Sequence, residues 1–219
     1  MRPDIDEALR YAGVGSPAPD ELRREMEAIA GQLESKLRPR YTWQVFPIDR
    51  TEGDLKLRGS GVTLTGNLAL KMLAQCDQAV LLACTAGSEF DALLRAGQAR
   101  DMARAVLLDG CGSAWVEAVC DAAEREIAAR FPDLFLTDRF SPGYGDLPLE
   151  LQTPLCAALD AGRRVGIHVT GSLLLSPAKS VTAVIGLSER PQGARIRGCA
   201  HCNLRENCAI AKGGKTCAV

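Results

Sequence analysis

The sequence predicts an α+β fold, with one large domain over residues 1–190 and a small cysteine-rich metal module over 191–219. Three observations point there. The chain has 219 residues, 47% of them hydrophobic and 24% charged, which is enough to build a full core. Helical and extended patterns follow one another without a regular βα alternation, which disfavours a doubly wound sheet. Four of the nine cysteines crowd the segment 199–219, beyond a Gly/Pro/Arg-rich linker, "SERPQGARIRG".

Taken in order, "PDIDEALRYAG" and "PAPDELRREMEAIAGQLESKL" read as two helices. In the second, Asp20 can cap, and Leu22, Met26, Ile29, Ala30 and Leu33 recur at helical spacing. "RYTWQVFPI" alternates and carries aromatic and branched residues, so it is a strand. "DLKLRGSGVTLTG" is a hairpin, or a strand ending in a helix cap. "TGNLALKMLAQ" is a helix capped at Thr65 or Asn67, and the apolar "DQAVLLACTAG" is a buried strand. The Ala-rich stretch 88–131 makes one or two helices. Helical periodicity returns in "LPLELQTPLCAALDA", and 166–189 reads as two strands around Ser176-Pro177.

The bulk chemistry excludes some classes. A net charge of -1 is unlike the basic excess of a general nucleic-acid binder. No apolar run is long enough to span a bilayer. "MRPDIDEALRYAG" has acids early and no apolar signal-peptide core, so a cytoplasmic location is expected. A reducing compartment disfavours disulfides, and Cys76, Cys84, Cys111, Cys120 and Cys156 fall in apolar segments as small buried hydrophobes.

"AVLLDGCGSAWVE" is similar to the first motif of Rossmann-type methyltransferases, an apolar strand ending in an acid and a glycine turn. Thr137-Asp138 would then supply the ribose-binding acid. Yet Gly110 and Gly112 lack a third glycine, and too little chain follows for the remaining strands. The competing reading is an Ala/Gly-rich helix packed closely on a neighbour.

The segment with most chemistry is "LTDRFSPGYGDLPLELQ", Leu136 to Gln152. Two prolines and two glycines among the first thirteen of these residues rule out helix interior and central strand. Pro142 sets φ and Gly143 admits close backbone approach, so Arg139 and Tyr144 sit on a stiff turn. Arg139 offers a fork of donors suited to a carboxylate. On the preceding helix, Glu117 lies beside the small residues Ser113, Ala114 and Cys120, and beside Asp121, where its charge needs solvent or a partner. A ligand bearing both a carboxylate and a cation, such as an amino-acid derivative, would use both residues. A structural turn and a solvated glutamate explain the same spacing.

"RFSPGYGDLPLELQ", with "GSAWVEAVCDAAEREIA" upstream and "LLLSPAKSVTAVIGLS" downstream, resembles the S-adenosylmethionine-binding activation domain of cobalamin-dependent methionine synthase. The short stand-alone proteins of that family are more similar still, through "EALRYAG" and "PDELRREMEAIAGQLESKLRPRYTW", and the likeness covers roughly residues 5–190. It implies a bent antiparallel sheet with helices. It implies that Arg139, Ser141, Gly143 and Tyr144 bind S-adenosylmethionine, with Glu117 at the same ligand. A further aspartate, used in long members near the N-terminus, has Asp49 as a candidate. The loop here continues as "GDLPLELQ", where long synthases carry another proline and a Cys- or His-rich stretch.

The function implied is reactivation: reductive methylation of cob(II)alamin carried by a corrinoid-dependent methionine synthase or related methyltransferase. The electron would come from a flavodoxin- or ferredoxin-type donor. This chain shows no modules for homocysteine, folate or cobalamin, so it is expected to act on a partner. The alternatives are a non-catalytic S-adenosylmethionine sensor, an iron–sulfur electron-transfer adaptor or a Rossmann methyltransferase.

The tail "CAHCNLRENCAIAKGGKTC" places Cys199, Cys202, Cys208 and Cys217 in a C-x2-C-x5-C-x8-C pattern. Four soft thiolates so close together suit a metal in a reducing cell. Structural zinc prefers two C-x2-C knuckles, and only the first pair is of that type. The start of the pattern resembles auxiliary iron–sulfur domains of radical enzymes, so a [4Fe-4S] cluster is expected ahead of zinc, with His201 a lesser candidate ligand.

Overall fold

The computed structural model describes residues 2–51 and 53–192. The tail cysteines Cys199, Cys202, Cys208 and Cys217 lie outside the described residues. The architecture is α+β, an open antiparallel sheet flanked by helices. The described residues divide into two compact units, one of residues 2–42, 83–125 and 161–181, the other of 43–51, 53–82, 126–160 and 182–192.

The first unit is mainly helical. It contains α1 (Ile5–Tyr11), α2 (Asp20–Lys36), α4 (Ser88–Gln98), most of α5 (Met102–Arg130) and α7 (Ala161–Val165). Asp4 caps α1 by accepting the N–H of Glu7 at 2.8 Å. In α2 Met26, Ile29, Ala30 and Leu33 of the predicted stripe are buried, while Leu22 at its start is half-buried. Each side chain of leucine size so buried stabilises by about 1.5–3 kcal/mol. Asp20 is the first helical residue rather than the cap, because Pro19 occupies that position with no side-chain bond.

The Ala-rich stretch forms two helices, and α5 resumes where Asp101 accepts the N–H of Arg104. Residues 106–108, which the methyltransferase reading needs as a strand, lie inside α5, and so do Gly110 and Gly112. The Rossmann alternative is therefore excluded. The glycines serve close packing: a Cβ at Gly110 would lie 2.7 Å from the Ala12 nitrogen and from the Ala8 carbonyl oxygen of α1. A small hairpin of β6 (His168–Val169) and β7 (Leu175–Ser176) belongs to this unit. After it, Lys179 bonds Asp109 and Ser113 of α5, each at 2.9 Å.

The second unit holds most of the six-stranded sheet, ordered β3-β2-β1-β4-β8-β5. The strands are β1 (Arg40–Thr51), β2 (Asp54–Leu57), β3 (Val62–Leu64), β4 (Gln78–Thr85), β5 (Phe135–Leu136) and β8 (Ser180–Ser188). Antiparallel ladders join β1 to β2, β2 to β3, and β5 to β8. Residues 54–64 are thus the hairpin of the two readings. β4 is buried from Ala79 to Thr85, as an apolar strand in the middle of a sheet must be. The 166–189 segment makes three strands, not two, because the chain pairs β6 with β7 before entering β8.

Two further elements depart from expectation. Leu149–Leu151 is a 3-10 turn leading into α6 (Gln152–Ala158). Helix α3 (Asn67–Met72) is capped by neither Thr65 nor Asn67, since Gly66 sits at its N-cap with φ 95° and has no side chain to offer. Its cap comes from a distant loop described below. The five cysteines at 76, 84, 111, 120 and 156 are all buried, as expected, and burial pushes the Cys111 thiol up to about 12.

Candidate functional site

The loop 137–147 of the second unit is tied down residue by residue. At its start, the Thr137 N–H donates to the Gly186 carbonyl at 3.0 Å, and the Gly186 N–H donates to Thr137 Oγ1 at 2.8 Å. Phe140, buried, exchanges two backbone bonds with Val184 of β8, at 3.0 and 2.8 Å. These bonds fix the residues on either side of Arg139, which is partly buried.

Beyond Phe140 the chain folds back on itself. The Tyr144 N–H donates to the Ser141 carbonyl at 3.1 Å, the Gly143 N–H to the Leu147 carbonyl at 2.9 Å, and the Leu147 N–H to the Tyr144 carbonyl at 3.0 Å. Gly143 has φ 85° and Gly145 φ 58°, a region that glycine enters freely. Pro142 is buried beneath them. The bonds leave Arg139, Ser141, Gly143 and Tyr144 on one short turn whose backbone has little freedom. Asp146 completes it: its two carboxylate oxygens accept the N–H groups of Asn67 at 2.6 Å and Leu68 at 2.9 Å, which caps α3. Those backbone bonds, that of Leu68 first, hold the Asp146 carboxyl below the usual carboxylate range.

Glu117 is carried by the other unit, on α5. It is partly buried, and its charge is felt on α1. Burial, first, and then repulsion from Glu117 push the Glu7 carboxyl above its ordinary value, against the attraction of Arg10. Burial and Glu117 likewise raise the Tyr11 phenol. In the same unit a cavity of about 160 Å³ is lined by Arg2, Asp4, Glu7, Asp121 and Arg125 around the small side chains Ala114 and Ala118. A pocket with both signs of charge suits a zwitterionic group. The sequence showed the small-residue face of α5. It did not show that α1 covers it, although Gly110 in mid-helix signals such an approach.

Asp49, the candidate for the family's additional aspartate, lies on β1 of the second unit. Its carboxylate is ion-paired with Arg58, which holds it below the usual range. Among the described residues, no group of three or more His, Cys, Asp or Glu is disposed to hold a metal ion, and no helix is long and apolar enough to cross a membrane.

The chain matches no protein-family model and no curated protein. Among solved structures it is similar to the crystal structure of the MetH reactivation domain bound to AdoHcy. The TM-score is 0.65 at 17% identity, over 90% of this chain and 73% of that one. The likeness shows that this chain has the fold of that reactivation domain.

Proposed function

We propose that the chain binds S-adenosylmethionine through Arg139, Ser141, Gly143 and Tyr144, with Glu117 at the ligand's ammonium group, and supports reactivation of a corrinoid-dependent methyltransferase. The observation that carries this reading is the backbone-locked Arg-x-x-Pro-Gly-Tyr turn on the fold of a domain solved with AdoHcy. Arg139 fixes the carboxylate as a two-pronged donor, and Tyr144 shapes the pocket. The reaction needs no acid or base from this chain. One electron reduces the partner's cob(II)alamin to cob(I)alamin. The cobalt then attacks the sulfonium methyl, giving methylcob(III)alamin and S-adenosylhomocysteine. The protein's part is to hold the methyl group in line for that attack.

The test is calorimetric titration with S-adenosylmethionine, followed by turnover with a cob(II)alamin-loaded methionine synthase and a chemical or flavodoxin reductant. Saturable binding and reductant-dependent S-adenosylhomocysteine formation are expected. Binding without turnover would leave a sensor, and absence of binding would end the reading.

The tail belongs to the same proposal. Cys199, Cys202, Cys208 and Cys217 lie outside the described residues, and the donor set alone supports a metal: four thiolates within 19 residues, 199–217. They would hold a [4Fe-4S] cluster, or else zinc. A bound cluster supplies one-electron chemistry. Anaerobic purification should give a brown protein with iron and acid-labile sulfide. A colourless preparation with one zinc per chain would sink the cluster.

A further inference from the structure

We infer that Asp146 is a positioning residue for the ligand loop, a tether that holds Arg139–Tyr144 in its binding shape by anchoring the loop's far end to α3. The inference rests on the reading above that this loop binds S-adenosylmethionine. Four observations carry it, all within the second unit.

First, the long-range backbone bonds that hold the loop among the described residues lie at its start, where Thr137 bonds Gly186 and Phe140 bonds Val184. The three bonds within 141–147 close a turn but do not fix where that turn points. Second, Asp146 supplies the other anchor. Its carboxylate takes two backbone N–H groups 79 and 78 positions earlier in the chain. Third, the receiving site is shaped for it. Gly66 sits at φ 95°, and a Cβ there would lie 2.7 Å from the Asp146 carbonyl oxygen and 3.0 Å from its side chain. Any side chain at 66 would push the loop away. Fourth, Gly145 abuts the same helix: a Cβ on it would come within 3.2 Å of Leu68 Cδ2. Backbone, carboxylate and two glycines thus meet over one helical turn.

The division of labour is physical. A six-residue helix gains little from being capped for its own sake, being too short to persist alone. The same two bonds hold the loop 137–147 at its open end. A loop pinned at one end only samples many shapes, and the affinity it shows is reduced by the fraction of time it spends in the competent one. Pinned at both ends, it pays little of that cost on binding.

The experiment compares wild type with Asp146→Ala, Asp146→Asn and Gly66→Ala, reading S-adenosylhomocysteine affinity by calorimetry, melting temperature, and backbone hydrogen exchange. Asp146→Ala is expected to weaken binding roughly tenfold, as for a competent population reduced to about a tenth. Asp146→Asn keeps one acceptor and should fall between. Gly66→Ala should mimic Asp146→Ala. Exchange should quicken at the amides of Asn67, Leu68, Gly143 and Leu147. A merely structural role would lower the melting temperature and leave the affinity of the folded protein unchanged, so wild-type affinity in a folded Asp146→Ala protein overturns the inference. If wild type binds neither nucleoside, the functional reading falls, and exchange alone judges the tether. Faster exchange at Gly143 and Leu147 in Asp146→Ala then upholds the anchor, and unchanged exchange overturns it.

Discussion

Arg139→Ala should weaken S-adenosylmethionine binding roughly 30–150-fold, from loss of a charge-assisted contact worth on the order of 2–3 kcal/mol. The fold should survive the change. The backbone of Phe140, not the side chain of Arg139, makes the two bonds to Val184, and the turn behind it closes through Ser141, Gly143, Tyr144 and Leu147. Truncation therefore removes the fork and leaves the platform. Arg139→Lys separates charge from shape. A lysine keeps the charge but is a single point donor, so it should recover part of the affinity and not all. The measurement is calorimetry beside a melting curve. A folded Arg139→Ala protein with wild-type affinity would remove the arginine from the ligand and with it the proposed pose.

The loop itself was legible in the sequence because its signals are local. Pro142, Gly143 and Gly145 act on their own backbone angles, and the positive φ of both glycines is what such residues allow. Helix α2 was legible for the same reason: its buried stripe repeats within one element. What the sequence hid is long-range. The cap of α3 lies 79 residues beyond Asn67, so Thr65 and Asn67, the local candidates, were the wrong ones. The covering of Glu117's helix face by α1 depends on packing between elements that end at Tyr11 and begin at Met102, which no pattern inside either element records. Asp109-Gly110-Cys111-Gly112 looked like a strand-to-helix turn because glycines usually end elements. Both glycines lie inside α5, where backbone of the N-terminal segment packs against Gly110 and the Phe90 ring against Gly112.

That last point gives the largest expected stability effect. Gly112→Ala should destabilise the protein by about 2 kcal/mol or more, against the direction that helix propensity alone predicts. Propensity favours alanine over glycine in a helix interior by about 1 kcal/mol. At position 112, however, a Cβ would lie 2.1 Å from Phe90 Cζ and 2.4 Å from Cε2, far inside contact distance. Phe90 is fully buried on α4, and a ring has no flexible end that could yield. The ring or the helix must move, and overpacking of this kind costs typically 1–3 kcal/mol and sometimes more. The clash wins. Gly31→Ala is the control, since nothing lies within 4 Å of a Cβ there and the residue is inside α2. It should be neutral or stabilising by up to about 1 kcal/mol. A smaller side chain at 90 should relieve the clash, so Gly112→Ala should cost less in a Phe90→Leu background than in wild type, with a coupling of about 0.5–3 kcal/mol. Denaturant melts of wild type, the three single variants and the Gly112→Ala/Phe90→Leu double variant measure all of this. Gly112→Ala as stable as Gly31→Ala, or strictly additive with Phe90→Leu, would mean that α5 does not approach α4 as closely as the packing of Phe90 over Gly112 requires.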